Sequence, residues 1–334
     1  MEEYLAKPLP FPTHFPEGFE PLPNEPEFDE AVHLQIEMPK RIYTLEDFGY
    51  SEQDVNACPT PFAATSVFRI LSDKGAAALL EVAELLEEFT TSNARIARNV
   101  RGGAYRSKFL RDLCLSPKVT QAMSEICGIP LLPHTIPHQL GHLNYNPEIV
   151  GENVDKWHVD TLRIDYVMFV TDPKSVQGGE FEYYQGTKEE FLSRSKAGAA
   201  LDASKVISPS MPGPGYAILQ QGNMVVHRAK GLTAEGKRIT MVNGYVPQNI
   251  RFPDFCRFDQ LSLVDPDHVA GAEYLRHCQW MAKEKLNAAL TDTQFHNNTH
   301  LMADNLTELA QSLEQVAEQL RAAGQAEMEH FGDT

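Results

Sequence analysis

The chain has 334 residues, 42% of them hydrophobic and 9% aromatic, with a formal net charge of −17. That content supports a core of substantial size and excludes a disordered chain, while the acidic excess argues against nucleic acid or an anionic membrane as partner. The sequence shows no secretory leader and no run of 18 apolar residues. The five cysteines (Cys58, Cys114, Cys127, Cys256, Cys278) have no C-x-x-C spacing, which points to reduced thiols in a cytoplasmic protein.

Residues 1–57 are acidic and rich in proline, but Phe11, Phe15, Phe19 and Phe28 are interleaved. So many aromatics predict an extended arm lying on a domain surface rather than a free linker. Residues 58–260 are expected to form the main domain. Thr65–Leu71 reads as a strand, and Ser72 as the N-cap of a helix over about 73–89, with Leu79, Val82, Leu86 and Phe89 at helical spacing. A second helix is expected over 117–127, opened by Pro117 and closed by Gly128.

From about 138 to 250 the texture changes to short strand-like runs: Leu162–Val170, Glu180–Tyr184, Tyr216–Gln221 and Arg238–Val246. Turn signals separate them, among them Asp172-Pro173, Gly178-Gly179 and Glu235-Gly236. This is the pattern of an antiparallel sandwich or jelly roll. Residues 185–214 interrupt it with a capped short helix beginning at Thr187, and are expected to act as a lid over a site. Residues 261–334 read as a helical extension. Leu306, Leu309, Leu313, Val316 and Leu320 form a short heptad seam. It is expected to pack on the chain's own sheet, with a homodimer through this helix as the alternative.

Candidate ligands lie among these strands. On a strand, residues i and i+2 share a face, so His158-Val159-Asp160 aims an imidazole and a carboxylate at one point. His227 closes a Gly-strand-turn segment 67 residues on from Asp160, and Arg238 and Thr240 again share a face. A guanidinium can grip a carboxylate bidentately and the hydroxyl adds a donor. A surface ion pair is the plainer role for Arg238, and an ordinary core histidine for His227. His134, His138 and His142 are spaced four apart, but Pro133, Pro137 and Gly141 forbid the helix that would align them. His296 and His300 repeat that spacing without further support.

Taken in order, His158-x-Asp160, the Gly178-Gly179-Glu180-Phe181 turn, His227 and Arg238-x-Thr240 resemble the Fe(II)/2-oxoglutarate-dependent oxygenase superfamily over residues 138–250. The strand-then-helix run at Val67–Phe89 is similar to the phytanoyl-CoA hydroxylase-like branch. The resemblance implies a double-stranded β-helix (jelly-roll) core with helices before and after it. It implies Fe(II) held by His158, Asp160 and His227, the 2-histidine-1-carboxylate set that leaves sites open for 2-oxoglutarate and O2. Arg238 and Thr240 would bind the far carboxylate of 2-oxoglutarate, and Asn144 and Tyr145 would add polar contacts, although on a regular strand these two face opposite ways.

The expected reaction is hydroxylation, desaturation or oxidative cyclisation of a small molecule, such as an amino acid or specialised metabolite. Alternatives are a protein hydroxylase and a non-catalytic jelly-roll binding protein. Asp160 argues against a halogenase, in which a small residue takes its place. Arg163, Arg101, Arg106 and Trp157 are the candidate substrate contacts.

Overall fold

A computed structural model describes residues 4–292, 298–322 and 327–332. Eight strands make the core: β1 (His142–Tyr145), β2 (Asp155–His158), β3 (Ile164–Phe169), β4 (Phe181–Tyr184), β5 (Val206–Ile207), β6 (Tyr216–Gln220), β7 (His227–Ala229) and β8 (Ile239–Pro247). All their pairings are antiparallel. One sheet runs β6-β3-β8-β1 and the other β5-β4-β7-β2, so successive strands alternate between facing sheets except for β4 and β5, which pair with each other in the second. This is a double-stranded β-helix. Short strands at Ile42–Thr44, Phe62–Thr65 and Asn99–Val100 widen the first sheet at its edges.

The larger sheet is buried on both faces, which is why its strands read as continuous apolar runs. On β3, Tyr166 and Met168 face one core while Val167 and Phe169 face the space between the sheets. The first of these cores lies under two helices, α1 (Asp73–Leu86) and α2 (Pro117–Cys127). Ser72 caps α1 by accepting the Gly75 N–H at 3.0 Å, and Ser116 caps α2. Gly128 ends α2 with φ +69°, a conformation glycine adopts without Cβ strain. The run expected as one strand over 65–71 is two short ones, Phe62–Thr65 and Phe68–Arg69, and α1 ends three residues before Phe89 in a 3-10 turn.

The N-terminal arm lies on the surface of the domain. Phe11, Phe15 and Phe19 converge on the Tyr105 ring, and Phe28 meets Phe109 edge-on. Between residues 185 and 214, α3 (Lys188–Lys196) packs Phe191 against Trp157 and Tyr184 on the outside of the smaller sheet. The C-terminal extension holds α4 (Phe258–Leu261), α5 (Asp267–Asp292) and α6 (Thr299–Arg321). Val316 and Leu320 of the heptad seam pack on a cluster with Phe258, Leu261 and Tyr274, so α6 lies on helices and not on the sheet. Leu306 and Leu313 stay exposed. No helix among the described residues is long and apolar enough to cross a membrane. His296 lies outside the described residues.

Candidate active site

His158 ends β2, His227 begins β7, and these two residues are paired across the smaller sheet. Asp160 follows just beyond β2, its N–H held by the Gly222 carbonyl at 2.9 Å. The register brings His158 Nε2 to 3.3 Å from one Asp160 oxygen and His227 Nε2 to 3.3 Å from the other. One donor atom from each residue lies within 4.8 Å of the others. Both imidazoles are fixed from behind. Nδ1 of His158 meets the Lys156 carbonyl at 2.6 Å, and Nδ1 of His227 the Val225 carbonyl at 2.9 Å. A carbonyl only accepts, so each Nδ1 carries the proton and each Nε2 can offer its lone pair to a cation.

The three side chains of this cluster shift one another's protonation. Burial pushes the His158 imidazole down. Burial also opposes a charge on His227, but the Asp160 carboxylate outweighs it and raises that imidazole to about 9. Burial works against ionised Asp160 too, and the two imidazoles overcome it, holding this carboxyl well below the usual range.

Asp165, on β3 behind Asp160, had no motif to mark it. It is fully buried, and burial together with the Asp160 charge pushes its carboxyl well above the usual carboxylate range. Its Oδ1 accepts from the Gln220 carboxamide at 3.1 Å, and that carboxamide also reaches His227 Nε2 at 3.2 Å. Gly222 leaves room for both carboxylates: a Cβ there would sit 2.2 Å from an Asp165 oxygen and 2.8 Å from an Asp160 oxygen.

The cavity in front of these residues continues to Arg238, Thr240 and Asn144. Arg238 is 1% exposed. Its Nε donates to the Gly179 carbonyl at 2.6 Å, Nη1 to Thr240 Oγ1 at 3.3 Å, and Nη2 has no partner. A Cβ on Gly179 would lie 2.8 Å from Arg238 Cδ, so the second glycine of the Gly-Gly turn is what lets the arginine lie flat there. The other arginines lining the cavity are committed: Arg95 to Asp155, Arg101 to Asp265 and Arg228 to Glu182. Among the described residues, Arg238 is the cavity arginine with no carboxylate in ion-pair reach, and desolvation lowers it to about 10.

Several residues singled out from the sequence fall elsewhere. Tyr145 points the opposite way from Asn144, into the core, where its hydroxyl donates to the Ala83 carbonyl at 2.7 Å. Trp157 is fully buried on the far side of β2, with the Arg228 guanidinium 4.5 Å over its ring. Arg106 lies at the arm, stacked 3.7 Å over Phe89. Arg163 turns away from the cavity and donates to the Pro253 carbonyl. Arg101 does line the cavity, but its guanidinium is bound to Asp265, 2.5 Å from Nε.

No residue of 185–214 lines the cavity, so the expected lid is not there. The mouth is instead covered by Gln260, Leu261 and Val264 and by Met328 and Glu329 of the C-terminal tail. That tail adds backbone hydrogen bonds to the open edge of β2. Trp157 N–H donates to Gly332 at 3.0 Å, and Phe331 N–H donates back to Trp157 at 2.6 Å. Phe331 packs against Phe191 with its ring tilted, and Glu329 pairs with Arg257 at 2.7 Å. Nothing in sequence spacing joins residue 329 to residue 158. His142, whose Nε2 is unpartnered, and Gln139 complete the wall and were likewise unmarked as contacts.

No family model and no curated protein sequence matches the chain. Solved structures do match in part. SnoK, a non-haem alpha-ketoglutarate-dependent carbocyclase from nogalamycin biosynthesis, is 17% identical over 61% of this chain and 85% of its own, with a TM-score of 0.38. EctD from S. alaskensis, solved with 2-oxoglutarate and 5-hydroxyectoine, is 16% identical over 67% and 82%, with a TM-score of 0.42. HygX from Streptomyces hygroscopicus, solved with nickel and 2-oxoglutarate, is 14% identical over 59% and 87%, with a TM-score of 0.41. Likeness at this level has no weight for function, which must come from this chain's own side chains.

Proposed function

We propose that the protein is an Fe(II)- and 2-oxoglutarate-dependent oxygenase acting on a small molecule. One observation carries this. A His-Asp-His donor set whose two Nε2 atoms both face Asp160 shares a cavity with a buried guanidinium that lacks an anion. An unpaired buried charge is costly, so Arg238 calls for an anionic ligand at that end. A dicarboxylate that reaches both ends fits the arrangement.

In this reading His158, Asp160 and His227 hold the iron, which supplies O2-driven oxidation coupled to loss of CO2 from 2-oxoglutarate. Arg238 takes the far carboxylate through Nη2, and Thr240 steadies the guanidinium. Asn144, whose Oδ1 is unpartnered, faces the same ligand. The backbone carbonyls of Lys156 and Val225 keep the two imidazoles in the ligating tautomer. Gln220 steadies the His227 ring, Asp165 holds Gln220, and neither lines the cavity.

The substrate end is walled by Gln139, Thr161, Leu162, Gln260, Leu261, Val264 and Met328, uncharged groups of mixed polarity. Arg101 and Glu329 are already paired there. A free amino acid would have to compete with Asp265 for Arg101, so a neutral metabolite fits this wall better. The tail across the mouth favours a compact molecule over a protein side chain. Hydroxylation, desaturation and ring closure all remain compatible with these residues.

The test is 2-oxoglutarate-dependent succinate release by the iron-loaded protein, run against a panel of neutral and charged metabolites. His158→Ala and Asp160→Ala should lose tight iron binding and succinate release while keeping the wild-type circular dichroism. Full turnover by a metal-free His158→Ala protein would end this assignment.

A further inference from the structure

A second group of donors lies away from this cavity, where the C-terminal helices meet the barrel. Asp254, Cys256 and His277 each place one ligand atom within 4.8 Å of the others. Cys256 and His277 are buried, while the Asp254 side chain keeps 28% of its surface exposed and gives access from solvent. We propose that these three residues form a second metal site, for a thiophilic divalent cation of the zinc type.

The surroundings are those of a ligand set held ready by its own hydrogen bonds. His277 Nε2 is 2.8 Å from Asp254 Oδ2, and His277 Nδ1 is 2.5 Å from the Thr135 hydroxyl. A cation would replace the proton shared between Nε2 and the carboxylate, while Thr135 accepts from Nδ1–H and holds the ring in the ligating tautomer. The sulfur is prepared separately. His134 Nδ1 accepts from the Ile136 N–H at 3.1 Å, so its Nε2 carries the proton and points at Cys256 Sγ, 3.4 Å away. An N–H aimed at sulfur favours thiolate over thiol once a cation is present. It also makes His134 a supporting residue and not a fourth ligand.

A small cavity with room for a water adjoins the cluster, lined by His134, Arg163, Asp254 and Cys256 among others. One sulfur, one nitrogen and one carboxylate oxygen make a set that suits zinc and cobalt better than calcium or magnesium. The donors are drawn from α5 and from the segment after β8, so a bound cation would staple the extension to the barrel. The same extension supplies Leu261 and Val264 to the cavity mouth and Asp265 to Arg101.

The test is titration of the chelator-treated full chain with cobalt(II), followed by absorption in the near-ultraviolet and visible. The expected result is two equivalents bound, one of them with sulfur-to-cobalt charge transfer. His227→Ala should keep that band, whatever becomes of the first site. Cys256→Ser should lose the band and one equivalent, and His277→Ala should weaken the thiolate site at least tenfold. Zinc X-ray absorption on the wild type gives a check that needs no variant: one sulfur in the first shell of one of two zinc ions. Absence of any sulfur ligand in wild type, or a band that survives Cys256→Ser, would overturn the proposal.

Discussion

At the scale of single residues, the most exacting feature is the buried guanidinium of Arg238. Its cost is felt when no anion is bound, so Arg238→Met should raise the melting temperature of the ligand-free protein. 2-Oxoglutarate should then stabilise the wild type and leave the variant unmoved. Arg238→Ala should weaken 2-oxoglutarate by about 2–5 kcal/mol, since it removes a buried charged partner. Arg238→Lys should recover part of this, because a point charge cannot replace the fork. Unchanged 2-oxoglutarate affinity in Arg238→Ala, measured by calorimetry with Mn(II) in place of iron, would assign the anchor elsewhere.

His227 gives a pH dependence of definite sign. It is raised to about 9 in the metal-free fold, whereas an unfolded imidazole titrates near 6.5. The proton is thus held more tightly by the folded chain. Its stabilisation is complete below about pH 6.5 and is lost as pH rises through about 9. A metal must displace the same proton, so metal affinity should climb across that window. Melts of metal-free wild type and His227→Gln should differ more at pH 6 than at pH 9.5. An equal difference at both ends would show that His227 is not charged in the folded protein.

At the scale of elements, the strands and the side chains they aim into the cavity were legible because period two is a short-range rule. His158 with Asp160, and Arg238 with Thr240, needed only a strand and a spacing of two. Asn144 and Tyr145 show the same rule dividing a pair, one to the cavity and one to the core. The mouth was illegible for the opposite reason. Arg101 looks free until Asp265 is brought to it from 164 positions away, and Met328 and Glu329 reach the cavity through a reversal of the whole C-terminal extension. The insertion at 185–214 looked like a lid because it is long and capped, but Phe191 fixes its helix to the outer face beside Trp157.

The tail is therefore the element to test. Removing residues 327–334 takes away the partner of the Trp157 amide and the Met328 and Glu329 wall. Exchange of the Trp157 amide should quicken on the order of tenfold or more, as expected for an edge strand that loses its cover. Arg257→Ala should give a smaller effect in the same direction. Unchanged exchange at Trp157 would mean that the tail does not cover β2 in solution.

At the scale of the whole molecule, the two ends of the chain hold each other. Trp280 of α5 donates through Nε1 to the Lys7 carbonyl at 2.9 Å, and the Tyr4 hydroxyl donates to Glu284 at 2.6 Å. Ala6 N–H donates to the Gln248 carbonyl at the end of β8, so the arm also binds the barrel. Further along, Phe11, Phe15 and Phe19 cover Tyr105, whose hydroxyl donates to Glu273 of α5 at 2.7 Å. The arm thus closes a ring of contacts from the barrel to the extension and back to Tyr105. Phe11, Phe19 and Phe28 are only half-buried and Phe15 is exposed, so each contributes less than the roughly 1.5–3 kcal/mol of a fully buried side chain. A change of 1 kcal/mol moves the midpoint of a large domain by about 2–4 °C or less.

Deleting residues 1–28 should therefore lower the melting temperature by about 5–10 °C, on those figures. The two tryptophans separate this loss from general unfolding. Trp280 loses its cover and its hydrogen-bond acceptor, so its emission should shift to the red. Trp157 lies under Phe191, Arg228 and the C-terminal tail and does not touch the arm, so it should keep its blue emission. Comparing Trp157→Phe and Trp280→Phe backgrounds assigns the shift. A truncated chain with wild-type stability and unshifted Trp280 emission would show that the arm rests on the domain without holding it.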